Sequence, residues 1–243
     1  MINLEKNLTY YEPFPHLLFK DVMNDSFYNK LCDEFPIQHK FFKFDFDQKR
    51  SEQKQNKFSY NNYDKQFYKI LKTQPNTKIL FEYLVSEEFQ KKILNILENN
   101  YIKIDYQIKQ SLIKLLYKKI LRKKKFIFEF SLMSSDGGYI RPHTDGPDKL
   151  LNFLIPLVDD EKITKIENSG TKILAPTSQK YFYNYMNNVV PEESTKLIRE
   201  IPFVRNQLFV FIKTHNSLHS VGPMKNHNNE AIMRKSINFT IYK

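Results

Sequence analysis

Between residues 126 and 133 the side chains alternate, with Phe126, Phe128, Phe130 and Leu132 on one side and Ile127, Glu129, Ser131 and Met133 on the other. A period of two predicts a strand with one face in the core. The pattern returns near the end of the chain, where Ile237, Phe239 and Ile241 oppose Ser236, Asn238, Thr240 and Tyr242. Further strands are predicted over Leu150 to Leu157, Lys172 to Ala175, Gln207 to Lys213 and Lys235 to Tyr242. All five glycines, Gly137, Gly138, Gly146, Gly170 and Gly222, fall in this half, where tight connections between short strands need them. Many short strands joined by turns predict a double-sheet jelly roll.

The first half carries a different signal. From residue 1 to about 122 the apolar positions recur at helical spacing. Asn24-Asp25 is placed to cap a helix containing Phe27, Leu31 and Phe35, which Pro36 closes. Two more helices are predicted over Thr77 to Tyr83 and Ser86 to Asn99, the second with Phe89, Ile93 and Ile96 on one stripe. Between them and the first helix, His39 to Tyr63 has no clear period and is read as a long loop, either a cover over a substrate site or a surface excursion. The chain contains no internal repeat. The expected organisation is α+β in one domain, 1–243, with mainly helical support over 1–122 and a jelly-roll (double-stranded β-helix) catalytic core over 123–243.

Composition narrows the setting. A chain of 243 residues that is 41% hydrophobic and 15% aromatic can bury a sizeable core. The single cysteine, Cys32, excludes an intramolecular disulfide, and no apolar run is long enough to span a bilayer. The N-terminal residues carry charges and no apolar signal-peptide region, so a reducing cytoplasm is expected. The formal charge of +11 raises the question of nucleic acid. Its densest cluster, Lys114 to Lys125, is interleaved with Leu112, Leu115, Leu116, Ile120 and Leu121, which suits the solvated face of an amphipathic helix better than a nucleic-acid site.

The candidate chemistry lies in the β half. His143-Thr144-Asp145 offers an imidazole and a carboxylate two residues apart, which in an extended segment project to one side. Pro142 and Gly146-Pro147 bracket the pair with restricted backbone. A second imidazole comes from His219 or from His215. His219 is favoured because Ser217, His219 and Val221 alternate as a strand does and run into Gly222-Pro223. Two imidazoles and one carboxylate on one face of a metal leave the opposite positions open, the arrangement of non-haem Fe(II) oxygenases. Arg234, at the start of the last strand, supplies a fork that can hold a carboxylate, with Ser236 on the same face.

Together the stretches Gly137 to Asp145, Asn216 to Val221 and Arg234-Lys235-Ser236 resemble the 2-oxoglutarate and Fe(II)-dependent oxygenase superfamily, within it the prolyl 4-hydroxylase-like branch. The motif resemblance spans residues 126 to 242. It implies that His143, Asp145 and His219 ligate Fe(II), that Arg234 binds the distal carboxylate of 2-oxoglutarate with help from Ser236, and that Tyr139 adds a hydroxyl if its strand is regular. It further implies O2 as cosubstrate, release of succinate and CO2, and hydroxylation, because Asp145 stands where related halogenases carry a small residue. The chain departs from prolyl hydroxylases in carrying Met133 to Ser135 where they usually place a tyrosine, and Arg234 where they often place lysine. Both departures argue against a protein prolyl substrate and leave a small molecule or another peptide side chain.

Two other readings compete. A cupin-like metal protein or isomerase would use the same jelly roll without 2-oxoglutarate, but would commonly recruit more histidines and would not need Arg234. A polyanion-binding module would dock through the basic 114–125 stretch and would not need the His143, Asp145, His219 and Arg234 set.

Overall fold

The computed structural model describes residues 2–37, 42–43, 57–102, 126–227 and 232–243; the basic 114–125 stretch and most of the expected 39–63 loop lie outside the described residues. Strands β1 (Asn7–Tyr10) and β2 (His16–Lys20) form a hairpin that leads into helix α1 (Asp25–Asp33). Short strands β3 (Phe42–Lys43) and β4 (Lys57–Asn61) precede helices α2 (Phe67–Thr73), α3 (Pro75–Leu84) and α4 (Glu87–Asn99). The remaining strands are β5 (Phe126–Ser134), β6 (Ile140–His143), β7 (Lys149–Leu157), β8 (Thr171–Pro176), β9 (Thr195–Ile201), β10 (Gln207–Ile212), β11 (His219–Val221) and β12 (Met233–Tyr242).

Local chemistry sets the helix ends. The Asn24 side chain accepts from the Phe27 N–H at 2.8 Å and caps α1, with Asp25 in its first turn. That helix stops at Asp33, short of Phe35, because a residue preceding proline is disfavoured in the helical region. Ser86 caps α4 in the same way through the Phe89 N–H. Among the described residues no helix is long and apolar enough to cross a membrane.

The strands form two antiparallel sheets. The larger has the order β1-β2-β10-β7-β12-β5-β4-β3 and the smaller β6-β11-β8-β9, which is the expected jelly-roll architecture with helices added. β12 lies between β5 and β7, with Ile237 opposite Phe130 and Ile155, and Phe239 opposite Phe128 and Phe153. The predicted apolar face of these strands is buried beneath the helices. Phe67 of α2 meets Phe128 and Phe130 at ring separations of 5.9 and 6.3 Å, and Phe89 of α4 meets Phe153 at 5.4 Å. Each of these fully buried rings contributes roughly 1.5–3 kcal/mol through burial alone. The opposite face of β5, β7 and β12 looks toward the smaller sheet and carries Glu129, Asn152, Asn238 and Thr240 around a cavity.

The first 122 residues supply more than helices. β1 and β2 extend one flank of the larger sheet, and β3 and β4 extend the other. β2 reads as a continuous apolar run because it is buried on both faces: Leu17 and Phe19 enter the core under the helices, while Leu18 packs between the sheets with Phe14, Ile173, Phe209 and Phe211.

Candidate metal centre

The smaller sheet brings the two imidazoles together. β6 and β11 pair with His143 directly opposite His219, and the rings lie 4.4 Å apart between centroids. Asp145 follows the end of β6 in a left-handed conformation, φ 70°, which aspartate tolerates better than most residues. Its carboxylate therefore reaches the histidines from a turn and not by simple strand alternation. Ser217 Oγ donates to the Thr144 carbonyl at 3.3 Å, and Thr144 Oγ1 donates to the Asn184 carbonyl, so the segments carrying the three groups are braced against each other.

Distances and hydrogen bonds favour coordination. His143 Nε2 lies 3.6 Å from Asp145 Oδ1, and His219 Nε2 lies 3.7 Å from Asp145 Oδ2. One ligand atom from each residue falls within 4.8 Å of the other two. His143 Nδ1 sits 2.9 Å from the Arg141 carbonyl and His219 Nδ1 sits 2.9 Å from the Ser217 carbonyl. A carbonyl only accepts, so each Nδ1 carries the proton and each Nε2 lone pair faces Asp145. Burial and then the neighbouring His143 push His219 down to about 3, so it is neutral. Burial works against the Asp145 charge, but Lys149, His143 and His219 together hold this carboxyl well below its ordinary range. A neutral imidazole and an ionised carboxylate are the forms that bind a divalent cation. His215, the competing candidate, is exposed, stacks on Tyr183 at 5.1 Å and lies outside this group.

The three side chains open onto a cavity of about 430 Å³. Arg234 lines it too, at the start of β12 and opposite Met133 of β5. The residue is 3% exposed, and its guanidinium donates from Nε to the Ser169 carbonyl at 2.8 Å and lies 4.1 Å above the Phe203 ring. Nη2 has no hydrogen-bond partner among the described residues, and burial pushes the group down to about 9, so it remains charged at neutral pH. A buried cation with an unused donor calls for an anion.

The other two expected residues take different places. Ser236 is fully buried, its hydroxyl donates to Asn238 Oδ1 at 3.3 Å, and it is not among the residues that line the cavity. Tyr139 is not among the lining residues. Between Ile140 and His143 the register of β6 against β11 shifts, and this bulge brings Ile140 to the cavity beside His143.

Sequence reasoning passed over several polar groups in the same cavity. Lys149 Nζ donates to Asp145 Oδ1 at 2.6 Å. Lys57 forms an ion pair with Glu129, which also accepts from Asn238 Nδ2 at 2.9 Å. Asn152, on β7, and Asn187, on a loop, line the same cavity. The one signal was Glu129 itself, the single charged residue of β5.

The fold resembles that of a prolyl hydroxylase. A prolyl hydroxylase from Trichoplax adhaerens, solved with a peptide fragment of the hypoxia inducible factor oxygen degradation domain, superposes with a TM-score of 0.51 at 11% identity, over 93% of this chain and 83% of that one. A Pseudomonas putida prolyl-4-hydroxylase covers 94% of this chain and 92% of its own, at 11% identity and a TM-score of 0.46. No protein-family model and no curated protein matches the chain.

Proposed function

We propose that this chain is an Fe(II)- and 2-oxoglutarate-dependent dioxygenase that hydroxylates its substrate with release of succinate and CO2. The observation that carries the reading is that the His143, Asp145 and His219 group shares one cavity with Arg234, a buried cation with an unpartnered Nη2. The donor set fits Fe(II), since two imidazoles and one carboxylate leave coordination positions for a bidentate cosubstrate and O2. Arg234 fits the far carboxylate of 2-oxoglutarate, which would supply the missing counter-charge. A cupin-like isomerase leaves that cation unexplained.

Fe(II) with 2-oxoglutarate and O2 supplies the oxidative chemistry when bound, decarboxylating the cosubstrate and delivering one oxygen atom to the substrate. The protein's part is placement. His143 and His219 present fixed Nε2 lone pairs because backbone carbonyls hold their Nδ1 protons. Asp145 contributes the third donor and stays ionised beside Lys149. Arg234 fixes the cosubstrate from the opposite end, and the walls of the cavity limit access of water. The helical support and the jelly roll act in this reading as one domain.

Replacing His143, Asp145 or His219 by alanine is expected to abolish succinate formation from 2-oxoglutarate, and near wild-type formation in any of them contradicts the assignment.

A further inference from the structure

The cavity contains polar groups that the roles above do not use. Asn152 is 7% exposed; its Oδ1 accepts from Thr240 Oγ1 at 3.1 Å, but Nδ2 has no partner among the described residues. Turning the amide over leaves its oxygen unpartnered instead, so one end is unsatisfied either way. Asn187, on the facing loop, has an Oδ1 with no partner among the described residues. Among the described residues Lys149 Nζ gives one hydrogen bond, to Asp145, and an ammonium has three to give. In a regular strand Lys149 and Asn152 would face opposite ways. The register of β7 against β12 shifts between Ile241 and Tyr242, and this irregularity brings both onto the cavity wall.

Charge completes the argument. Lys57 and Glu129 neutralise each other. Asp145 and the two carboxylates of 2-oxoglutarate cancel a divalent metal and Arg234. The Lys149 charge is left over in a confined site, where it attracts an anion.

We propose that Lys149 and Asn152 form an anion subsite beside the metal ligands, and that the primary substrate is a small molecule presenting a carboxylate or phosphate to it. The inference rests on the oxygenase reading for which groups are already engaged. Asn187 Oδ1 would accept a hydrogen bond from an amino or hydroxyl group of the same substrate. A cavity of about 430 Å³ that also houses the cosubstrate sets the scale of that molecule.

The test is ¹⁹F NMR of trifluoroacetate, with trifluoroacetamide as its neutral counterpart, on protein loaded with Zn(II) and 2-oxoglutarate. Trifluoroacetate is expected to broaden and the amide to stay sharp. Asn152→Leu and Lys149→Met should each weaken trifluoroacetate binding by about tenfold or more, equivalent to at least ~1.4 kcal/mol. Zinc content and circular dichroism are recorded for each variant, and Asn152→Leu decides the matter if Lys149→Met loses zinc or unfolds. Equal broadening of the amide, no broadening of trifluoroacetate, or unchanged binding in Asn152→Leu overturns the proposal. Arg234→Met separates it from the oxygenase reading. If 2-oxoglutarate does not bind, probe binding that survives Arg234→Met and is lost in Asn152→Leu sustains the subsite alone, whereas the reverse places the anion on Arg234 and refutes it. Competition by acetate and by inorganic phosphate then identifies the group, the stronger competitor marking a carboxylic acid or a phosphate ester.

Discussion

Arg234→Met separates a cosubstrate anchor from a structural arginine. Burial lowers the Arg234 pKa from 12.5 to about 9, which corresponds to roughly 5 kcal/mol of disfavoured charge. The Nε bond to the Ser169 carbonyl offsets about 1.5–3 kcal/mol, and the guanidinium over Phe203 offsets up to ~2. Without ligand, a net cost of about 0–3.5 kcal/mol remains. Methionine keeps the apolar stem and removes the charge. At ~2–4 °C per kcal/mol for a chain of this length, the ligand-free variant should unfold at the wild-type temperature or up to about 14 °C above it. The folded-state pKa lies below the unfolded one, so the cost is fully present below about pH 9 and fades as the pH rises above it. The advantage of the variant should therefore shrink in alkaline buffer. Adding 2-oxoglutarate at about a hundred times its Kd should stabilise the zinc-loaded wild type by about 2.7 kcal/mol and leave the variant unmoved. Scanning calorimetry with and without 2-oxoglutarate measures both effects. A variant that unfolds well below wild type yet keeps the full 2-oxoglutarate shift would refute the reasoning.

Three further outcomes are expected. Asp145→Asn removes a charged ligand and strands Lys149, so zinc affinity measured against a competing chelator should fall by about a hundredfold or more, and unchanged affinity contradicts the ligand role. Glu129→Gln leaves Lys57 without a counter-charge and should cost roughly 3 kcal/mol in urea unfolding, while Lys57→Met combined with Glu129→Met recovers most of it; equal losses in the two proteins would show that the pair is not what matters. Asn24→Ala removes the cap of α1 and should lower urea stability by about 1 kcal/mol, with no loss if the Phe27 N–H finds water instead.

Features encoded locally were readable from the sequence. The alternation in β5 and β12 follows from one face packed under the helices and one turned to the more polar cavity, and Asn24 and Ser86 mark their helices through their own side chains. His143, Asp145, His219 and Arg234 could be picked out because their spacing matches a known constellation. What was missed depends on distant partners. β4 has a polar sequence and becomes a strand through pairing with β5, and β2 loses its alternation because both its faces are covered. β9 is an exposed edge strand, largely without a buried face to give it a period. Two bulges decide which side chains enter the cavity, admitting Ile140 on β6 and Lys149 on β7, and no residue pattern announces either. The Lys57 and Glu129 pair likewise joins positions far apart in the chain.

The central claim is tested most directly by adding Fe(II) and then 2-oxoglutarate to the metal-free protein under anaerobic conditions and recording the visible spectrum. A metal-to-ligand charge-transfer band that appears only with both components, is absent in His143→Ala and requires far more 2-oxoglutarate in Arg234→Met is the predicted result. A folded, iron-loaded protein that shows no band at saturating 2-oxoglutarate would contradict the account.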